Sequence, residues 1–342
     1  MVNFGPEFKL SIPISNSRLD SFCHCSAKFA ANYFYKIPDK GNAGSSRGDV
    51  CHRIFEILGT EKRKKMIPLI IKENSVKPFV SLWRLVEIFA KQKDVFTKSD
   101  LDMIDFFIVT GLIFDQEPIG TKEVLIEKEF NFEVIDEKRG VKYRLRGFID
   151  KTYLIEREGV KYIYCRDFKS SKARFDKKKM NPNIQSLIYQ LAFRYLFPEY
   201  KLLSFDFIFL KFRDNAIQTS GVYPDHLLDG FEIYLTEIQS QLERFTLSNK
   251  NDNIAYLDPS KKALCGTGKE GLKEDGSPIW ICPARKPMDY WVKLNDKGEI
   301  EKSYFIDQKP DESDGKKVEK RRYSGCGFFH DDAGNPIRLS FD

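Results

Sequence analysis

The chain has 342 residues, 42% of them apolar, with 29 Phe and a formal net charge of +6. That length allows one large domain with a substantial core, or two smaller ones, and the apolar content is ordinary for a folded chain. No apolar run approaches the roughly 18 residues of a membrane span; the opening Met-Val-Asn-Phe-Gly-Pro-Glu-Phe-Lys lacks the charged-then-apolar pattern of a signal peptide, so the expected compartment is cytoplasmic.

In chain order, Asn16 or Ser17 caps a first helix whose stripe is Leu19, Phe22, Ala27, Phe29, Ala30 and Tyr33. Residues 39–48 are Gly/Ser-rich and read as a loop. A second helix starts near Gly48, with Val50, Ile54 and Leu58 on one face. Stretches 76–94 and 98–114 predict two more helices. From about 121 the period becomes two, which predicts strands near 121–130, over 141–155 and over 160–168, joined by the turn-like Asp136–Gly140 and Glu156–Gly159. A helix over 183–197 stops at Pro198, 202–212 is β-prone, and 223–248 reads as a long amphipathic helix. This order predicts an α/β fold, a mixed central sheet with helices packed on it. Three segments follow: a helical part over 1–120, a core over 121–248, and a Gly-, Asp- and Lys-rich region over 249–342 that holds three of the seven cysteines.

Gly147-Phe148-Ile149-Asp150 ends one predicted strand, and Asp167-Phe168-Lys169 ends the next. Adjacent strands bring Asp150 and Asp167 together. Two close carboxylates repel unless a hard cation neutralises them, so the pair reads as a Mg²⁺ or Mn²⁺ site. Lys169 beside it suits phosphodiester hydrolysis, orienting a water and stabilising charge on the phosphate. The basic run that follows, Lys172, Arg174, Lys177, Lys178 and Lys179, fits a polyanionic substrate.

These residues resemble the RecB-like, exonuclease branch of the PD-(D/E)xK nucleases over roughly 17–212. Ser17-Arg18-Leu19-Asp20-Ser21-Phe22-Cys23-His24-Cys25 is similar to that family's N-terminal Ser-x-Leu-x-x-aromatic-x-x-Cys element. Gly48-Asp49-Val50-Cys51-His52 resembles its Gly-x-x-x-His helix, and Gly147–Asp150 its Gly-x-x-Asp strand. Asp167-Phe168-Lys169 resembles the Asp-x-Lys core, and Gln185–Tyr189 the Gln-x-x-x-Tyr helix. The resemblance implies a restriction-endonuclease-like core. It also implies metal ligation by His52, Asp150, Asp167 and the Phe168 backbone carbonyl, with Lys169 catalytic. Gln185 and Tyr189, one turn apart, are then expected beside the active site and in contact with DNA. Glu127 matches an acidic position on the first strand, with Glu129 as its competitor. Glu56, one turn after His52, is a candidate partner for the imidazole. An imidazole ligand tilts the metal preference toward Mn²⁺.

Some members of that family hold a [4Fe–4S] cluster with one N-terminal and three C-terminal cysteines. Cys25, Cys265, Cys282 and Cys326 stand in that order here, which implies that the C-terminal region packs back on the first helix. The C-terminal trio is spread out, whereas the family's is tight (Cys-x2-Cys-x5-Cys). A zinc site of Cys265, Cys282, Cys326 and His330, or a set of metal-free reduced thiols, competes with the cluster. Cys51 and Cys165 read as core.

The expected function is a metal-dependent deoxyribonuclease, an exonuclease acting on single strands or free ends in DNA repair, recombination or phage DNA processing. The alternatives are a catalytically silent nucleic-acid-binding or recombination partner with the same fold, and an RNA-directed nuclease. No Gly-x4-Gly-Lys-[Ser/Thr] sequence occurs, so any unwinding is expected from a helicase or recombination partner.

Overall fold

The computed structural model describes residues 2–4, 8–39, 41–176, 180, 182–244, 282–331 and 333–337. The elements are β1 (Val2–Asn3), α1 (Asn16–His24), α2 (Ser26–Tyr33), α3 (Ala43–Leu58), α4 (Glu61–Lys64), α5 (Ile67–Glu73), α6 (Val80–Gln92), α7 (Lys98–Phe114), β2 (Thr121–Asp136), β3 (Val141–Arg157), β4 (Val160–Lys169), α8 (Ile184–Leu196), β5 (Lys201–Phe209), β6 (Ile217–Ser220), α9 (Asp225–Leu242), β7 (Met288–Leu294), β8 (Ile300–Phe305) and β9 (Val318–Tyr323). The chain forms two compact units, one of Met1–Asn16 with Gly41–Gln239, the other of Ser17–Lys40 with Ser240–Asp342.

The first unit is built on a six-stranded mixed sheet in the order β1-β2-β3-β4-β5-β6, flanked by helices as the sequence predicts. The β3–β4 turn is Glu158-Gly159, both at positive φ (51° and 75°), as a two-residue hairpin of type I′ requires. β4 and β5 run parallel, so the chain must cross over between them, and α8 makes that crossover.

One sheet face carries α3 and α7. Val50, Ile54 and Leu58 of α3 share a core with Ile104, Ile108 and Leu112 of α7 and with Phe168, Ile208 and Leu210 of the sheet side. Each such side chain contributes about 1.5–3 kcal/mol on burial. Gly111 lets α7 close on the core, since a Cβ there would lie 2.3 Å from Phe55 Cζ. α8 is buried almost all round, and the Tyr189 ring meets Phe130 and Phe205 at 6.0 and 5.5 Å. α9 is held by fully buried Glu232, which accepts from Tyr143 Oη at 2.7 Å and Arg139 Nη1 at 2.8 Å.

Several boundaries differ from the sequence reading, each for a local reason. The single helix expected from 16 breaks at Cys25, whose extended backbone (φ −165°, ψ 110°) and Sγ cap α2. α3 starts at Ala43 rather than Gly48, because Asn42 Oδ1 caps Ser45 N at 2.9 Å. α4, α5 and β6 are short and carry too few residues for a period to show.

In the second unit β7, β8 and β9 form a three-stranded sheet in the order β8-β7-β9. Tyr290, Val292 and Leu294 alternate inward on β7 and pack with Ala31, Ile37, Ile300 and Tyr323. The polar sequence of β8 and β9 conceals this sheet from composition. Tyr290 Oη donates to Tyr35 O at 2.6 Å, tying β7 to the segment after α2.

Candidate active site

The site forms where β3 and β4 part. Their ladder ends at Lys151↔Arg166. One residue further, the Asp150 side chain takes the place of a ladder acceptor: its Oδ2 receives the Phe168 amide at 2.7 Å. Asp167, only 1% exposed, lies beside it. Its Oδ1 accepts from Gln185 Nε2 at 2.6 Å, and its Oδ2 sits 2.5 Å from Lys169 Nζ. That second contact is an ion pair without hydrogen-bond geometry, so Oδ2 is a buried oxygen with no hydrogen bond.

His52 comes in from α3. Its Nδ1 is 3.4 Å from Asp150 Oδ2 and 3.6 Å from Glu127 Oε1. The Gly48-x-x-x-His52 spacing has a steric cause. Gly48 lies one turn earlier, and a Cβ there would fall 2.4 Å from Ser170 Oγ. Ser170 Oγ in turn donates to Gly44 O at 3.1 Å. Glycine thus seats α3 directly on the end of β4. Gly48→Ala is expected to destabilise the protein by about 1–3 kcal/mol through overpacking, against the gain of up to about 1 kcal/mol in helix propensity. Ser170→Ala removes the Oγ contact but leaves Cβ at 3.1 Å, so it should restore part of the loss in the double mutant. Urea unfolding of the four proteins checks this, and an additive pair of effects would contradict it.

Glu127 sits within β2 at φ +48°, in the left-handed region. Such a conformation in a non-glycine residue costs on the order of 1–3 kcal/mol and clusters at functional sites. The bend brings its carboxylate to His52 and Asp150, and ligand atoms of these three residues all lie within 4.8 Å of one another. Glu129, the competing candidate, pairs instead with Arg146 at 3.0 Å on the surface. Asp167 falls outside the three-residue group.

Electrostatics mark the same residues. Burial and then the neighbouring Asp167 push the Asp150 carboxyl up to about 7. Burial opposes charge on His52, but Asp150 and Glu127 outweigh it and push the imidazole up to about 9. A divalent cation must displace both protons, so Mn²⁺ affinity is expected to rise with pH. The rise should be about tenfold per unit between pH 7 and 9, where one proton remains to be displaced, and steeper below 7. Isothermal titration across that range checks it, and pH-independent affinity would contradict it.

The other candidate residues divide by their burial. Gln185 and Tyr189 are 8% and 6% exposed, too enclosed to offer DNA a surface. Gln185 Nε2 bonds Asp167 and also Tyr189 Oη at 3.0 Å, and Tyr189 Oη donates to Phe148 O at 2.8 Å. Together they brace Asp167 from behind. Glu56 pairs with Arg53 at 2.5 Å rather than with His52. Arg174 is pinned, donating to Ile217 O at 3.1 Å with its Nε buried, whereas Lys172 is exposed. Lys177, Lys178 and Lys179 lie outside the described residues. The Phe168 ring stacks on Phe55 at 4.3 Å, and its amide is the donor to Asp150. The thiols of Cys51 and Cys165 are buried and pushed up by that burial, as core cysteines are.

Sequence reasoning missed one group next to the site. Asp115, at the end of α7, accepts from Tyr153 Oη at 2.6 Å and Arg166 Nη1 at 2.7 Å, and also pairs with Lys151. Arg166 and Lys151 are chain neighbours of Asp167 and Asp150. No motif signals this contact, because Asp115 is far from both in the sequence.

Within the second unit, Cys25, Cys282 and Cys326 line one cavity of about 460 Å³ together with His24, Arg285 and Phe329. Cys265 lies outside the described residues. Two further comparisons bear on the whole chain. Residues 13–256 match the profile of the PD-(D/E)XK nuclease superfamily. No curated protein matches the chain.

Proposed function

Because the chain belongs to the PD-(D/E)XK nuclease superfamily, and so to a group of metal-dependent phosphodiester hydrolases, we propose that it is a deoxyribonuclease that removes nucleotides from DNA ends. The observation that carries this reading is the convergence of His52, Glu127 and Asp150 beside the Asp167–Lys169 pair. Their donor set, one imidazole nitrogen and two carboxylates, fits Mn²⁺ or Mg²⁺, with the nitrogen favouring Mn²⁺. The buried Asp167 Oδ2, which has no hydrogen bond, is a further oxygen available to the cation. When bound, the cation supplies Lewis acidity and a water of lowered pKa.

The residues of the chain do the rest. Asp150 is held in place by the Phe168 amide, and Asp167 by Gln185. Lys169 Nζ stands where it can orient the attacking water and meet charge developing on a phosphate oxygen. In-line attack leaves a 5′-phosphate and a 3′-hydroxyl. End-labelled single- and double-stranded DNA with Mn²⁺, with RNA in parallel, tests the reading. Stepwise shortening of DNA supports it. Binding without cleavage would favour the silent partner, and cleavage of RNA alone would redirect the substrate.

We further propose that Cys25, Cys282 and Cys326, with Cys265, hold a [4Fe–4S] cluster in the second unit. Three of the four cysteines line one cavity, which supports a group shared between them there. Anaerobically purified protein should be brown from thiolate-to-iron absorption. Colourless protein containing zinc would replace this proposal with the zinc site.

A further inference from the structure

Phe148 takes no part in the chemistry of the site, yet it lies at its edge. It precedes Asp150 by two positions on β3, about 7 Å along an extended strand. It is 46% exposed, while Ile149 next to it is fully buried. A single exposed apolar residue is ordinary on any surface. This one differs in how its main chain is held. The Phe148 carbonyl accepts from Tyr189 Oη at 2.8 Å, Tyr189 Oη is 3.0 Å from Gln185 Nε2, and Gln185 holds Asp167 at 2.6 Å. One hydrogen-bonded chain thus links the backbone bearing the ring to a carboxylate of the site. Across the hairpin Phe148 faces Glu129, which is ion-paired to Arg146 at 3.0 Å. The ring is therefore an exposed apolar plate with a charged neighbour, carried on an anchored backbone two residues from Asp150.

Resting on the nuclease reading above, we propose that Phe148 is the stacking platform for the base of a nucleotide next to the scissile phosphate, and that this nucleotide is unpaired. A base inside a duplex has both faces covered by its neighbours, whereas a single strand or a frayed end can offer one face to a protein ring. Stacking on an aromatic side chain tolerates any base and adds affinity without sequence preference. The side chain acts in binding, so its loss should appear in KM more than in kcat.

Cleavage of a single-stranded oligonucleotide by wild type, Phe148→Ala and Phe148→Tyr tests the inference, together with a matched oligonucleotide series carrying one abasic site stepped along the strand. Phe148→Ala should raise KM about tenfold on the intact strand, with kcat within about twofold and Phe148→Tyr close to wild type. At one abasic position wild type should fall to the level of Phe148→Ala, and the two proteins should then agree. An equal loss on every substrate, or no loss, would overturn the proposal. Binding is read separately in the Lys169→Met background with 2-aminopurine in the strand, whose fluorescence falls on stacking. Quenching that disappears with Phe148→Ala supports the platform, and quenching that persists overturns it. If wild type cleaves no DNA, the nuclease reading fails, while this second readout still decides the role of Phe148.

Discussion

Lys169→Met should lower DNA cleavage by about 10²–10³-fold, the usual loss when one preorganised charge is removed from a developing oxyanion. The same protein should still bind Mn²⁺, because Lys169 is not among His52, Glu127 and Asp150. Methionine keeps an apolar stem of similar length, and the buried Asp167 left behind retains its hydrogen bond from Gln185, so stability should fall while the fold survives. Asp150→Ala is expected to behave differently. It removes an oxygen shared by the His52 contact and the Phe168 amide, so cation binding and cleavage should vanish together. Mn²⁺ titration and a cleavage time course on both variants separate the roles. Full activity of Lys169→Met would remove the lysine from the chemistry. Retained Mn²⁺ affinity in Asp150→Ala would remove that carboxylate from the site.

The second large effect concerns stability. Asp115→Ala should cost about 3–5 kcal/mol, as expected when one partner of a buried ion pair is deleted. The reason is the company that Asp115 keeps. Its side chain and that of Arg166 are each 6% exposed, and Lys151 pairs with the same carboxylate. Alanine would leave two cations enclosed with no carboxylate between them. The Arg166 guanidinium would keep its contacts with Tyr153 and Tyr164, whose Oη atoms are each at 3.5 Å and whose rings lie 5.2 and 4.8 Å from Cζ, but neither supplies a negative charge. Because Lys151 and Arg166 are the last paired residues before β3 and β4 part, activity should fall with stability. Urea unfolding followed by intrinsic fluorescence measures the loss. A change below about 1 kcal/mol would mean that the pair is screened well enough to be dispensable.

Much of this site was legible because its parts are short-range patterns. The alternation through Gly147–Asp150 and Asp167–Lys169 places two carboxylates at neighbouring strand ends, and the structure brings them together where the β3–β4 ladder stops. The helix of His52 was legible for a similar reason, since its apolar stripe fixes the face turned to the sheet. Glu127 was harder to rank above Glu129, because the deciding fact is a left-handed backbone within a strand, which no side-chain pattern announces. For Gln185 and Tyr189 the limit was of another kind. Four-residue spacing shows that they share a helix face, but not that the face is buried against Asp167 and Phe148 O. Asp115 was invisible because its partners, Lys151 and Arg166, are set by tertiary packing. The β7–β9 sheet was hidden by polar outward residues and by long separations between its strands.

The central claim is that His52, Glu127 and Asp150, remote in the chain, hold one catalytic divalent cation beside Lys169. An anomalous difference map from crystals grown with Mn²⁺ tests it most directly. A single strong peak in contact with the imidazole of His52 and the carboxylates of Glu127 and Asp150 is the predicted result. A map with no peak among these three side chains, at a Mn²⁺ concentration that supports cleavage, would contradict the account.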